Sequence, residues 1–301
     1  MTENIAERIQ ALKKKRNAVI LVHNYQPGEV QDIADFLGDS LDLSRRAAGT
    51  DADVIVFCGV HFMAETAAIL SPQKTVLLPA ADAGCPMADM ITVEELRRLK
   101  SANPGAPVVC YVNTSAAVKA ESDVCCTSAN AEKIVGRMKE DRIIFIPDRN
   151  LGAYVAGKTG KKIILSDGYC IVHEKMTKED VLKARSAHPG AELLAHPECR
   201  PEVSALADMV LSTSGMCSYA KTSANNEMII GTETGIIYRL KKENPGKVFY
   251  PLSERAVCAN MKKNSLEKVL WALEDMKNVV KVEQSVKVKA KRAIDIMLEY
   301  S

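Results

Sequence analysis

Aromatic side chains are scarce in this chain. One Trp and five Phe in 301 residues supply too little ring surface for a platform that would stack nucleobases. A surplus of one charge is missing as well, since 40 Lys and Arg stand against 38 Asp and Glu. That balance gives no global drive toward nucleic acid or an anionic membrane, and it leaves open only a local basic patch. No apolar run approaches the length of a membrane span. The first residues, MTENIAERIQALKKKRNAVIL, carry acidic groups early and no continuous apolar stretch before a small-residue cleavage site, so they do not read as a signal peptide. A soluble, cytoplasmic protein with no nucleic-acid and no membrane partner is therefore the expectation. Close CxxC pairs are absent, which removes the usual structural-zinc pattern. No GxGxxG opens a strand–helix unit and no GxxxxGKS occurs, so nucleotide binding through those loops has no support. Nine cysteines, an odd number in a reducing compartment, do not make a disulfide scaffold.

What is present is a threefold repeat whose markers are polar groups and cysteines. The strand-like run VILVHNYQ ends at His23 and Tyr25, PVVCYVNTS passes Tyr111 and Asn113, and AELLAHPEC passes His196 and Glu198. Small hydroxyls follow at Ser40, Ser128 and Thr213, spaced 88 and 85 residues apart. Cys85, Cys170 and Cys258 close the units, spaced 85 and 88. Repeats of this length mean equivalent folded units in contact. Around a pseudo-threefold axis they would aim equivalent loops at one centre.

Each unit reads as strand, helix, strand, helix, strand. Ala18–His23, 53–59 and 75–79 are strands of the first unit, and their unbroken apolar runs suit parallel strands covered on both faces. The stretch 31–48 reads as helix interrupted at Gly38. Thr92 with Glu95, Thr177 with Asp180, and Asn264 with Glu267 mark helix starts. The expected fold is α/β: three pseudo-symmetric three-layer αβα units at 1–100, 101–186 and 187–283, meeting at a central site. The last helix, 284–301, is expected to pack back on the first unit. In open α/β sheets ligands sit beyond the carboxyl ends of strands, where helix N-termini can meet an anion.

The three matched cysteines carry the sharpest chemical signal. Thiolates from three distant loops can hold three irons of a [4Fe–4S] cluster and leave the fourth open as a Lewis acid. Buried small side chains fit the same spacing. His23 and His196 end apolar strands in register, whereas His61 and His188 read as ordinary core histidines. Glu198 is a candidate general acid or base of raised pKa. Tyr25, Tyr111 and Asn113 suit hydrogen bonding to a small polar substrate, and the hydroxyls at Ser40, Ser128 and Thr213 suit a phosphate cradle. Satisfied tyrosines and ordinary helix caps are the plainer alternatives. An iron–sulfur hydro-lyase on a small hydroxy acid and a non-catalytic iron or redox sensor also remain open at this point.

The stretches HNYQ, GDSL, GVHFMAE, PAADAGCPMAD, YVNTSAAVKAESD, CTSANA, IPDRNLG, DGYCIVHE, HPEC, STSGM, GTETGI and VCANMK, in that order, resemble the quinolinate synthase family over essentially the whole chain. The resemblance implies three pseudo-symmetric α/β domains around a [4Fe–4S] cluster. It also implies condensation of iminoaspartate with dihydroxyacetone phosphate to quinolinate, phosphate and water, in the biosynthesis of NAD. Carried over by motif, Cys85, Cys170 and Cys258 would hold the one cluster per chain. His23, Ser40, Tyr111, Asn113, Ser128, His173, His196, Glu198 and Thr213 would surround the substrate, with Glu198, His196, Tyr111, Tyr25 and His23 as the catalytic set. An L-aspartate oxidase or dehydrogenase supplying iminoaspartate would be the functional partner. Ala259 stands where the family usually has proline after its third cysteine.

Overall fold

A computed structural model describes residues 4–301. Three four-stranded parallel sheets, each flanked by helices, form three αβα units. The first contains α1 (Ile5–Lys15), β1 (Ala18–His23), α2 (Gly28–Asp32), β2 (Phe36–Gly38), α3 (Ser40–Gly49), β3 (Val54–Cys58), α4 (His61–Leu70) and β4 (Thr75–Leu77). After α5 (Val93–Ala102), the second contains β5 (Val108–Tyr111), α6 (Ala116–Ala120), β6 (Val124–Cys126), α7 (Ala131–Arg137), β7 (Arg142–Ile146), α8 (Arg149–Thr159) and β8 (Lys162–Leu165). After α9 (Lys178–Ala187), the third contains β9 (Glu192–Ala195), α10 (Pro201–Ser204), β10 (Met209–Val210), α11 (Thr213–Thr222), β11 (Glu227–Gly231), α12 (Ile236–Glu243) and β12 (Val248–Pro251). Helices α13 (Leu266–Asp275) and α14 (Gln284–Glu299) close the chain.

The sheet orders are β2-β1-β3-β4, β6-β5-β7-β8 and β10-β9-β11-β12, one order used three times. The chain steps outward from the first strand of each sheet and then returns to its other side. The crevice at that reversal, beyond the strand carboxyl ends, is where open α/β sheets bind ligands. His23 ends β1, Tyr111 ends β5, and His196 follows β9. The edge strands β2 and β6, each only three residues long, were not among the expected strands. The stretch 31–48 accordingly divides into a strand and a helix, where one interrupted helix was the reading.

Less visible anchors repeat with the same period. Asp35, Asp123 and Asp208 accept the N–H groups of Ile20, Val108 and Leu193 beside the start of each central strand. Lys74, Lys161 and Lys247 each donate to two carbonyls where the chain leaves α3, α7 and α11. A cation there satisfies orphan carbonyls and opposes the negative end of the helix dipole.

The helix after each cysteine loop packs on the next unit. In α5, Arg97 and Lys100 bind Glu121 of the second unit. In α9, Val181 enters the core of the third unit and Arg185 binds Leu206 O and Asp208. In α13, Val269, Leu270 and Leu273 are buried against Ile9 and Ile20 of the first unit. The expected divisions after residues 100 and 186 fall inside α5 and α9, and the return to the first unit is made by α13. The final helix α14, expected on the first unit, touches it at α4 but lies chiefly along α6 and β6 of the second. Thr92–Glu95 and Thr177–Asp180 form capping boxes. At α13 the cap is Ser265, because Asn264 is buried and donates to Gly59 O. His61 is half-exposed at the start of α4, and His188 stacks on Tyr250, so neither is a core histidine.

Candidate active site

The three units enclose one cavity of about 110 Å³. Its wall includes His23, Tyr25 and Ser40 from the first unit, Tyr111, Asn113 and Ser128 from the second, and His196, Glu198 and Thr213 from the third. His173, Cys85, Cys170 and Cys258 line it as well, so all thirteen residues singled out from the sequence meet there.

Glu198 is the hub. It is buried and accepts a hydrogen bond from the Tyr111 hydroxyl. His173 Nδ1 lies 2.7 Å from Glu198 Oε2, out of line for a well-formed hydrogen bond. Burial alone would push Glu198 up, but His173 and the Tyr111 bond outweigh it and hold the carboxyl below its usual range. The sequence reading had a carboxylate of raised pKa here. The site instead keeps Glu198 ionised, poised to receive a proton rather than to give one.

Both strand-end histidines are neutral. Burial lowers His23 and His196 to about 3, and each opposes a second positive charge nearby. The geometry gives the same answer independently. His23 Nδ1 accepts the Tyr25 N–H at 3.2 Å, and His196 Nδ1 accepts the Glu198 N–H at 3.3 Å. A proton on either Nδ1 would set donor against donor. The hydrogen therefore sits on Nε2 in both rings. In His196 it reaches Ser128 Oγ at 3.2 Å, which leaves the Ser128 hydroxyl hydrogen free for a ligand.

Two phenols face the same space as donors. Burial first, and the Glu198 charge second, raise Tyr25 and Tyr111 well above the ordinary phenol value. Tyr25 Oη lies 2.5 Å from Thr232 Oγ1, which in turn lies 2.8 Å from His173 Nε2. Asn113 Oδ1 is a buried acceptor with no partner among the described residues. Such an atom costs about 1–3 kcal/mol until something donates to it, so it marks a place for a ligand N–H or O–H.

The cysteine loops share a local design. A single 3₁₀ turn follows each one, at Pro86–Asp89, His173–Lys175 and Met261–Lys263. In all three, the backbone N–H groups two and three residues onward favour the thiolate and so oppose burial: Met87 and Ala88, Val172 and His173, Asn260 and Met261. Burial pushes Cys85 up to about 12, and raises Cys170 and Cys258. Without a cation these are neutral thiols. A metal offsets that penalty, and six nearby backbone N–H groups already favour the thiolates. Among the described residues, the ligand atoms that close to within 4.8 Å of one another are those of Cys170, His173 and Glu198, not those of the three cysteines. The three thiols are thus spread around the cavity, which suits a multi-iron group better than one ion.

Comparison with known proteins decides the family. The model of the quinolinate synthetase A protein matches residues 7–299. The chain belongs to the quinolinate synthetase A family. It is 59% identical over 296 residues to the quinolinate synthase of Dehalococcoides mccartyi strain CBDB1, covering 98% of each chain. It is 58% identical over 297 residues to that of Methanoregula boonei, covering 99% of this chain and 98% of the relative. The Geobacter sp. strain M21 quinolinate synthase is 59% identical over 296 residues, 98% of this chain and 97% of its own. Like these relatives, the chain is an enzyme. No described helix is long and apolar enough to cross a membrane.

Reading the family motifs did not single out Thr232, Asp148 or Glu233, the last of which lines the cavity. Thr232 joins Tyr25 to His173. Asp148 and Glu233 accept the N–H groups of Cys170 and Cys258. Both acids are fully buried and stand 85 residues apart, so the repeat interval itself could have found them. Glu233 also pairs with Lys262, which donates to Tyr25 O and so ties the third cysteine loop to the first unit. In the first unit the register falls on Val60, which has no acid to offer.

Proposed function

We propose that this enzyme condenses iminoaspartate with dihydroxyacetone phosphate to give quinolinate, phosphate and water, using one [4Fe–4S] cluster held by Cys85, Cys170 and Cys258. The observation that carries the reading is the wall of the central cavity. There three cysteines with matched N–H pairs face an ionised glutamate, two neutral histidines and two phenols. When bound, such a cluster supplies a Lewis-acidic iron with an open position, suited to drawing off a hydroxyl group.

The chain's own groups account for the rest. Glu198 takes protons from carbon beside an imine or carbonyl, a role that its ionised state favours. Tyr25 donates to oxygen that gains negative charge, Tyr111 holds Glu198 through its hydroxyl, and the Nε2–H groups of His23 and His196 hold polar substrate atoms. Asn113 Oδ1 accepts from the substrate, and His173 orients Glu198. Ser40, Ser128 and Thr213 hold the phosphate, two of them in the first turns of α3 and α11. The enzyme would act in the cytoplasm beside an L-aspartate oxidase or dehydrogenase that supplies its iminoaspartate.

Anaerobic purification with iron and sulfide counts, followed by assay with both substrates, tests the reading. Wild type should carry a four-iron cluster and form quinolinate. Replacement of Cys85, Cys170 or Cys258 by alanine should remove both. Iron and sulfide unchanged in C170A would defeat it. A single metal ion without sulfide would point to the Cys170, His173 and Glu198 group instead.

A further inference from the structure

Asn24 and Arg239 do not line the central cavity, yet Asn24 touches a residue that does, Thr213, and Arg239 touches Asn24. Asn24 follows β1 in the first unit and is fully buried. Its Nδ2 donates to Thr213 Oγ1 at 2.9 Å, and its Oδ1 accepts from an Arg239 guanidinium nitrogen at 2.7 Å. Arg239 lies on α12 of the third unit and also donates to Leu37 O at 3.1 Å and to Glu243 Oε1 at 2.8 Å. The chain of bonds therefore crosses from the third unit to the first and back.

Its direction is fixed by chemistry. A guanidinium has donors only, so the Asn24 oxygen must face Arg239. The Asn24 amino group must then face Thr213, and Thr213 Oγ1 must accept. The hydroxyl hydrogen of Thr213 is left over, and it has no acceptor among the described residues. Thr213 opens α11, so it lacks the preceding helical turn whose carbonyl a mid-helix threonine would use. The free hydrogen belongs to the cavity.

We propose that Asn24 and Arg239 are positioning residues that make Thr213 an obligate donor to a phosphate oxygen of the substrate. The proposal rests on the reading of the cavity given above. Glu243 balances the Arg239 charge, so Arg239 acts by orienting Asn24 rather than by attracting the substrate directly. The same logic holds at Ser128, which accepts from His196 Nε2–H and keeps its own hydrogen free. Two hydroxyls in register thus present donors from different supports.

The test is a double-mutant cycle on the cluster-loaded enzyme, with iron content and melting temperature recorded for each variant. T213V should raise KM for dihydroxyacetone phosphate roughly tenfold or more, as expected for a lost hydrogen bond to a charged group, and T213S should restore it. N24D puts an acceptor oxygen against Thr213, which turns its hydroxyl away from the cavity. KM for dihydroxyacetone phosphate should rise at least as far as in T213V. In the T213V background N24D should add little, because the hydroxyl it redirects is gone. R239M should act in the same direction with a smaller rise, and it carries the same cycle with T213V if N24D does not fold. If T213V leaves KM unchanged, Thr213 is not a phosphate ligand and the reading of the cavity fails at that residue. If T213V raises KM but the second substitution multiplies it by the full factor seen alone, the positioning role is overturned.

Discussion

The two buried histidines make the chain's stability depend on pH in a defined window. His23 and His196 hold at about 3 in the folded protein, against about 6.5 in an unfolded chain. Between those values the unfolded state binds a proton at each histidine that the folded state refuses. Stability is therefore full above the unfolded pKa and falls as pH drops toward the folded one. Each histidine contributes a slope of about 1.4 kcal/mol per pH unit. At about pH 5 most unfolded carboxylates are still ionised, and the loss relative to neutral pH is about 2 kcal/mol per histidine, about 4 kcal/mol together. The two rings influence one another, so that sum is a ceiling. Urea unfolding of the metal-free chain at about pH 7.5 and about pH 5 measures the difference. H23Q and H196Q should each be less stable at neutral pH but should lose about 2 kcal/mol less on acidification. An identical pH slope in wild type and both variants would refute the argument. In the loaded enzyme the same neutrality implies that His23 and His196 cause no fall in kcat/KM near the ordinary histidine value.

Other outcomes follow from the same geometry. E198Q should retain iron and bind both substrates while turnover falls by roughly 10²–10⁴-fold, the range for a lost acid–base group; near wild-type turnover would reassign the proton work to Tyr25 or His23. D148N and E233Q replace with amides the carboxyl groups that accept the Cys170 and Cys258 N–H groups. Each should speed iron loss to a chelator by roughly tenfold or more, as for other supports of metal ligands, and unchanged release rates would argue against the role. L273A empties a fully buried position where α13 meets α1. It should cost about 2–5 kcal/mol, read as a drop in urea midpoint, although the position is far along the chain from the unit it stabilises.

Much of this was legible because polar residues repeat with the period of the fold. His23, Tyr111 and His196 stand in register since each ends the central strand of its sheet. The cysteines stand in register since each follows the last strand. β2 and β6 were not legible, because three residues are too few to show a periodicity. The ionised state of Glu198 was equally hidden. Its acidity is set by His173 and Tyr111, which lie 25 and 87 residues away and meet it only in three dimensions. Helix ownership was hidden too, since α5, α9 and α13 read as the ends of the repeats they follow.

That ownership has a consequence for how the protein is made. The layer made by α1 stays uncovered until α13 has been made, and the contact between Arg8 and Glu274 spans 266 residues. Leu270 and Leu273 must therefore reach Ile9 after both other units exist, and such distant pairings form slowly. Each cysteine sits on the very segment that hands a helix to its neighbour. The three sulfurs come to their final positions only when every handover is complete. Insertion of a group that binds all three would be the last event of maturation, a seal on a closed ring rather than a seed for it.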